Sequence, residues 1–450
     1  MPANATVKPA MPAEFTMTVT VAPATALEGV VRLPGDKSIS HRYAMLAALA
    51  DGVTRITHYA PGNDCQSTLR CLEQLGTVVS RHTAFDRATG AEVPTVQIVG
   101  RGLRGLQAPT TDLDCGNSGS TLRMLAGVLA AHPFTSVLTG DASLRRRPMM
   151  RVVTPLQEMG AVVTSFNGRP PLSVVGGSLR PITYRPETPS AQVKTAVLLA
   201  GLQTPGVTTF EEPAGTRDHT ERALRAFGAT VDIQGHVIRI AGEQRLAARQ
   251  LAVPGDPSSA AFWACAAAAL PGSFIELRDV GLNPSRIAIF DVLRRMGADV
   301  DVQVERTDAE EPVGRVRVRH RDLRRLELTP ADVPGLIDEL PVLAALATHG
   351  GQLRVTGAQE LRAKESDRIT ALVNGLRALG ADADELPDGF HVRGSRRLLG
   401  GEVDAADDHR LAMAFAVAGL GALEPTVIRG ADAVDVSYPG FFEVLRALRK

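Results

Sequence analysis

Two kinds of hydrophobic segment alternate along the chain. Six open on or beside Asp, Asn or Ser and then run apolar nearly all round: DKSISHRYAMLAALADG, GNSGSTLRMLAGVLAAHP, SAQVKTAVLLAGLQTPG, DPSSAAFWACAAAALPG, DELPVLAALATHGG and DDHRLAMAFAVAGLGA. The opening residue suits the free N–H groups of a helix start. A helix apolar on every side is a buried helix, and Gly or Pro follows each one. A second, more amphipathic set interleaves with these and ends on a shared signature: LEQLGTVV (72–79), LQEMGAVV (156–163), LRAFGATV (224–231), LRRMGADV (293–300) and LRALGADA (376–383). Each reads as a helix end, a glycine in the left-handed cap conformation, then a strand start. Gly76, Gly160, Gly228, Gly297 and Gly380 recur at intervals of 84, 68, 69 and 83, and LRALRK (445–450) falls where a sixth copy is due. Runs such as TVQIVG, SVLTG, HVIRIAG, VRVRH and LRVTG supply the strands between.

The pattern therefore predicts an α/β chain of six similar units. The sixth lacks a closing strand, and the N-terminal FTMTVTVAP can supply it. Three units per domain put the two chain crossings near Leu33–Gly35 and Val253–Gly255, which are the two PGD turns. The expected division is a disordered tail over 1–15, a discontinuous first domain of 16–34 plus 254–450, and a second domain of 35–253.

Composition narrows the class. Forty-nine basic residues balance forty-nine acidic ones, which argues against broad nucleic-acid or membrane binding and leaves room for a local basic pocket. No run reaches the ~18 apolar residues of a membrane span, and the start MPANATVKPAMPAEF has no apolar signal core, so a cytoplasmic location is expected. Cys65, Cys71, Cys115 and Cys265 form no C-x-x-C pair and read as inert thiols. The histidines show no ligand spacing, so no metal or other cofactor is expected. Aromatic residues are 4% of the chain, which predicts cores of Ala, Leu and Val.

Lysine is the informative residue. Only Lys8, Lys37, Lys194, Lys364 and Lys450 break an arginine monopoly, and the three inner ones sit in polar motifs. That retention points to a compact ammonium able to move a proton, which guanidinium does poorly; chance retention is the alternative, most of all for Lys194. Basic residues also gather at or near helix starts: Arg42, Arg123, Arg147, Arg217, Arg368 and Arg410. A helix N-terminus already favours anions, and several converging on one cleft would bind several anionic groups. For any single arginine an ordinary surface ion pair competes with this reading, and Arg145 and Arg146 fit it well. GNSGST lets an anion approach the backbone, or is a tight turn. Ser190 is an orienting hydroxyl or a plain cap. Asp338 and Glu365 are the acid–base candidates; the bland readings are a helix cap for Asp338 and a solvated helix start for KESDR.

LPGDKSISHR, GNSGSTLR, RRPM, SAQVK, TRDHTE, DELP, LRAKESDR and DDHR, in this order, strongly resemble the 5-enolpyruvylshikimate-3-phosphate synthase family over essentially the whole chain after the first 15 or so residues. The resemblance implies two similar domains, each of three βαβαββ units with buried parallel helices, joined by a double-crossover hinge. It implies transfer of the enolpyruvyl group of phosphoenolpyruvate to the 5-hydroxyl of shikimate 3-phosphate, with release of phosphate. By motif, Lys37 touches both substrates. Ser38, Arg42, Ser190, Ala191, Gln192, Arg217, Asp338 and Lys364 hold shikimate 3-phosphate. Gly119, Arg147, Gln192, Arg368 and Arg410 hold phosphoenolpyruvate. Asp338, Glu365 and Lys37 carry the acid–base steps. The expected partners are these two small molecules, with no nucleic acid, no membrane and a monomeric chain.

Two departures from the family pattern stand out. Val436 occupies a position where some relatives carry lysine. GDKS, RDHTE, SAQVK and NPSR (283–286) resemble a bacterial subgroup that includes glyphosate-tolerant members, yet Gly119 leaves room where a methyl would obstruct that inhibitor. Three other readings compete with this one. A UDP-N-acetylglucosamine enolpyruvyl transferase would place its cysteine in a long loop, whereas Cys115 lies at a helix start. An RNA-terminal-phosphate cyclase would carry a catalytic histidine motif. A non-catalytic anion-binding protein would not need Asp338 and Glu365.

Overall fold

The computed structural model describes residues 17–86 and 90–450, so the expected tail over 1–15 lies outside the described residues. The helices are α1 (Lys37–Leu49), α2 (Asn63–Gln74), α3 (Gly119–Leu129), α4 (Met150–Glu158), α5 (Ala191–Leu202), α6 (His219–Ala226), α7 (Pro257–Ala269), α8 (Ala288–Arg295), α9 (Leu340–Ala347), α10 (Arg368–Ala378), α11 (His409–Gly419) and α12 (Phe441–Leu448). The odd-numbered helices are the buried ones; every residue of α7, α9 and α11 is buried. Local chemistry sets their starts. Side-chain oxygens of Asp36, Ser118, Ser190, Asp256 and Asp408 accept from backbone N–H groups in the first turns of α1, α3, α5, α7 and α11. The five recurrent glycines end the even-numbered helices α2 to α10 with φ between +83° and +108°, the left-handed cap that the repeat required.

Among the described residues the strands form six small sheets, five of four strands and one of three. In each four-stranded sheet a central antiparallel pair is flanked by one antiparallel and one parallel neighbour. One sheet pairs Asp51–Thr57 with Ala91–Arg101 antiparallel and with Gln250–Ala252 parallel. The three-stranded sheet is completed from far away: Thr18–Val21 runs antiparallel to Thr426–Arg429, as the missing strand of the sixth unit predicted.

Two separate buried cores result. One unites Val21–Leu33 with Ala260–Leu448, and the other spans Ile39–Val253. Alanine, leucine and valine dominate both, but the first also holds an aromatic cluster that the composition did not foreshadow. Trp263 of α7 stacks on Phe441 of α12 at 4.8 Å and its Nε1 donates to the Tyr438 hydroxyl at 3.1 Å.

The two chain crossings lie side by side. Gly35 faces Gly255 in an antiparallel bridge, Asp36 N donates to Pro254 O at 2.7 Å, and Asp256 N donates to Pro34 O at 2.9 Å. No side chain fits at Gly35, where a Cβ would fall 1.9 Å from the His58 carbonyl oxygen. Arg286, from the NPSR segment, clamps the pair. Its guanidinium donates to Asp36 Oδ2 at 3.0 Å and to Asp256 Oδ1 at 3.2 Å, tying together the caps of α1 and α7. Among the described residues no helix is long and apolar enough to cross a membrane.

Candidate active site

The starts of the buried helices meet where the two lobes face each other. From the second lobe, Lys37 is the first residue of α1, and its Nζ reaches Asp64 Oδ2 at 2.9 Å. Burial disfavours the charge on Lys37, but Asp64 and Glu365 together outweigh it and hold the ammonium above its ordinary range. One turn on, Arg42 spreads its guanidinium over three neutral acceptors: Ser38 O at 2.8 Å, Thr195 Oγ1 at 2.9 Å and Thr220 Oγ1 at 2.7 Å. It meets no carboxylate at ion-pair distance among the described residues.

α3 begins at Gly119, and a Cβ there would fall 2.7 Å from Arg123 Nη1 and 3.3 Å from Arg147 Nη1. The bare backbone therefore lets two guanidinium groups face the helix start. Arg147 Nη2 is fixed by Asn117 Oδ1 at 2.7 Å. Ser190 caps α5, accepting from Val193 N at 3.4 Å, so the plain capping role is present. Ala191 opens the helix. Gln192 is oriented at both ends, accepting from Arg123 Nη1 at 2.8 Å and donating to Ser120 Oγ at 2.9 Å.

The first lobe brings Asp338, Lys364, Glu365, Arg368 and Arg410. Asp338 is not a helix cap: α9 starts at Leu340, and Glu339 occupies the cap position. The Asp338 carboxylate is thereby free to meet Arg217 Nη2 at 2.6 Å across the cleft, Arg368 Nη1 and Arg410 Nη2 each at 3.8 Å, and Lys364 Nζ at 3.9 Å. Glu365 sits before α10 rather than on a solvated helix start. It meets Arg368 Nη2 at 2.5 Å and, from the other lobe, Arg147 Nη2 at 3.5 Å. Burial alone would raise both carboxyls. Arg410, Lys364, Arg217 and Arg368 instead carry Asp338 well below the usual range, and Arg368, Arg147, His409 and Lys37 do the same for Glu365. Lys364 is pulled below its ordinary value by burial, with Asp338 pushing back.

The charged site residues expected from the motifs thus gather where the lobes meet, through Arg217–Asp338 and Arg147–Glu365, with Ser38, Ser190 and Ala191 at the starts of α1 and α5. Lys194 does not: it is buried inside the second lobe between two glutamates. Four supporting residues were not legible. Asp64, Asn117 and Asp408 anchor Lys37, Arg147 and Arg368; His409, buried beside Lys37 and Glu365, bonds to Ser437 Oγ. Asp408 and His409 stood inside DDHR, where the arginine drew the attention. Asp64 meets Lys37 only through the fold, and nothing local marks it. At Val436, where a lysine was missing, the backbone instead packs on the start of α2; a Cβ on Gly62 would fall 2.6 Å from the Val436 carbonyl oxygen.

Fold and site together define a two-lobed enzyme with the architecture of the enolpyruvyl transferases. At the level of fold this is seen in the enolpyruvyl transferase NikO from Streptomyces tendae, which aligns with a TM-score of 0.77 at 20% identity over 96% of this chain and 98% of its own. The EPSP synthase (3-phosphoshikimate 1-carboxyvinyltransferase) family model matches residues 21–445. Relatives named 3-phosphoshikimate 1-carboxyvinyltransferase include one from Pelotomaculum thermopropionicum, 50% identical over 95% of this chain and 98% of its own. Another, from Desulforudis audaxviator, is 48% identical over 96% of this chain and its whole length. The EPSP synthase structure from Acinetobacter baumannii superposes with a TM-score of 0.83 at 40% identity, covering 96% of this chain and 98% of that one. The chain belongs to the EPSP synthase family of shikimate-pathway enzymes.

Proposed function

We propose that the protein joins shikimate 3-phosphate to phosphoenolpyruvate through the side chains that line its cleft. One observation carries the assignment of roles: Asp338 and Glu365 are each enclosed by cations drawn from both lobes. Each substrate brings a carboxylate and a phosphate of roughly −1.5 to −2 charge, so an uncharged protein needs such a cluster to bring them together. Lys37 spans both substrates. Arg42, Arg217 and Lys364, with Ser38, Ser190, Ala191 and Gln192, hold shikimate 3-phosphate. Arg147, Arg368 and Arg410, with the open backbone at Gly119, hold phosphoenolpyruvate, and Gln192 reaches it too.

The 5-hydroxyl oxygen attacks C2 of phosphoenolpyruvate while Asp338 takes its proton. Glu365, with Lys37, delivers a proton to C3, giving a tetrahedral adduct. Loss of a C3 proton and of the phosphate then leaves the enolpyruvyl ether. The charge pattern gives the substrates a part in this. Arg368 and Arg147 hold Glu365 ionised, unable to donate. Substrate anions engaging Arg147 and Arg368 neutralise that field and return Glu365 toward a protonatable range.

Since one chain supplies both faces of the cleft, we take it to act as a monomer. We also place it in the cytoplasm. We take the chain to divide at its crossings into 16–34 with 254–450 and 35–253; the separation of the two cores supports this. The test is phosphate release from the two substrates together, with Lys37→Met and Asp338→Ala alongside. Release unaffected by both changes would sink the mechanism.

A further inference from the structure

The third internal lysine found no place in the reaction, and its surroundings give it another role. Lys194 lies on α5 with its side chain 0% exposed, and its Nζ is 2.7 Å from Glu221 Oε1 and 3.1 Å from Glu212 Oε1. A lysine is rarely buried so completely unless it is paired. Glu212 also accepts from Thr216 Oγ1. Neither Lys194 Nζ nor the second Glu221 oxygen, Oε2, has a hydrogen-bond partner, so the lysine meets the two carboxylates as ion pairs. Glu212 and Glu221 bracket the segment that carries Arg217 and Thr220. Thr220 Oγ1 accepts from Arg42 Nε, and the Thr195 hydroxyl, one residue beyond Lys194, both meets Thr220 Oγ1 at 2.6 Å and accepts from Arg42 Nη2. The lysine is thus one layer beneath the guanidinium that the reaction assigns to the substrate phosphate.

The electrostatics make that layer consequential. Arg42 is buried, and burial draws it down to about 10, with Glu221 the foremost charge pushing back. A carboxylate so placed has two possible cations. If it paired with Arg42 it would occupy the fork meant for phosphate; paired with Lys194 it leaves the fork on neutral hydroxyl and carbonyl oxygens, which an arriving phosphate can outcompete. Lysine suits the position better than arginine, because a point charge can serve two carboxylates in a small buried space.

We propose that Lys194 is a positioning residue for phosphate recognition: it sequesters Glu221 and Glu212 so that Arg42 stays free for the phosphate of the substrate. The inference rests on the proposed reaction for the identity of the ligand, and direct binding separates the two. Calorimetry would measure the Kd for shikimate 3-phosphate, with turnover of the wild-type protein assayed independently. If wild-type protein binds the ligand but releases no phosphate, the reaction fails and the lysine proposal is still decided by the variants.

In Lys194→Met the liberated carboxylates repel the phosphate and compete for Arg42. The Kd for shikimate 3-phosphate should rise about tenfold or more, which corresponds to at least one pairing energy of about 1.4 kcal/mol. The KM for phosphoenolpyruvate should stay within about threefold of wild type, since Arg147, Arg368 and Arg410 are held by other partners. Adding Glu221→Gln should recover most of the lost affinity. An unchanged Kd in Lys194→Met, an equal rise for both substrates, or no recovery in the double variant overturns the proposal, as does a wild-type protein that does not bind shikimate 3-phosphate. Should Lys194→Met not fold, Lys194→Met/Glu221→Gln removes the lysine together with its nearer carboxylate, leaving Glu212 to Thr216, and is read alone. A Kd within about threefold of wild type then supports the role, and a rise of about tenfold overturns it.

Discussion

Asp338 meets four cations from two lobes, and the effect of its charge depends on pH. Its carboxyl titrates well below the ordinary value because Arg410, Lys364, Arg217 and Arg368 overcome the cost of burial. A depressed carboxyl contributes stability above its unfolded pKa near 3.9, and that contribution disappears as pH falls through the lower folded value. Asp338→Asn should therefore melt below wild type at pH 7, and the gap should close as the pH is taken below 4; a constant gap would mean that packing, not charge, is lost. The same variant should lower kcat by about 10²–10⁴, the usual worth of a positioned base. Gly119→Ala probes the other half of the cleft. The added methyl would meet the guanidinium ends of Arg123 and Arg147 and no backbone, so stability should stay within about 0.5 kcal/mol of wild type. The KM for phosphoenolpyruvate and the inhibition constant for glyphosate should both rise, and an inhibition constant that does not move would count against the sensitivity expected from this glycine. At this scale the motifs located Lys37, Arg147 and Asp338 but not their anchors. Arg368 was visible as a cation in KESDR, whereas its buried partner Asp408 belongs to a segment forty residues on. Such pairings are made by topology, and local sequence does not encode them.

At the scale of elements, the repeat was the most legible feature. A buried helix must be apolar all round and its partner helix must end in a left-handed glycine, so period and punctuation both appear in the letters. The strand pairing of Thr18–Val21 could be anticipated only because the sixth unit was one strand short. What escaped notice was the aromatic cluster around Trp263, since a scarcity of aromatic residues says nothing about their concentration in one place. Trp263→Ala removes a wholly buried side chain and should cost about 3–5 kcal/mol in a denaturant titration. The two PGD turns show how similar elements diverge. Both open a capped buried helix and both caps are held by Arg286, yet only the first is followed by a lysine. Gly35→Ala should destabilise by about 1–3 kcal/mol, because the methyl runs into backbone that cannot yield.

For the whole molecule, ion pairs between side chains hold the two lobes together. Arg217–Asp338 at 2.6 Å, Arg147–Glu365 at 3.5 Å and the more exposed Arg151–Glu360 at 2.9 Å join the lobes. Substrate anions must displace the first two, replacing protein carboxylates with their own. Salt should weaken the exposed contact most, because the Debye length is only about 3 Å at 1 M. Small-angle scattering should show the ligand-free radius of gyration growing with salt, and growing much less once both substrates are bound. Identical salt responses in the two states would show that the ion pairs do not govern closure.

The strand at Thr18–Val21 has one more implication, for the order in which the protein is made. It leaves the ribosome about four hundred residues before its partner, Thr426–Arg429. All residues of the Ile39–Val253 core are synthesised before that partner exists. The nascent chain can therefore complete its second lobe while the two segments of the first lobe are still apart. Pulse proteolysis of stalled chains should find the second lobe protected well before residue 426 emerges, with the strand Thr18–Val21 remaining cleavable until Thr426–Arg429 has emerged.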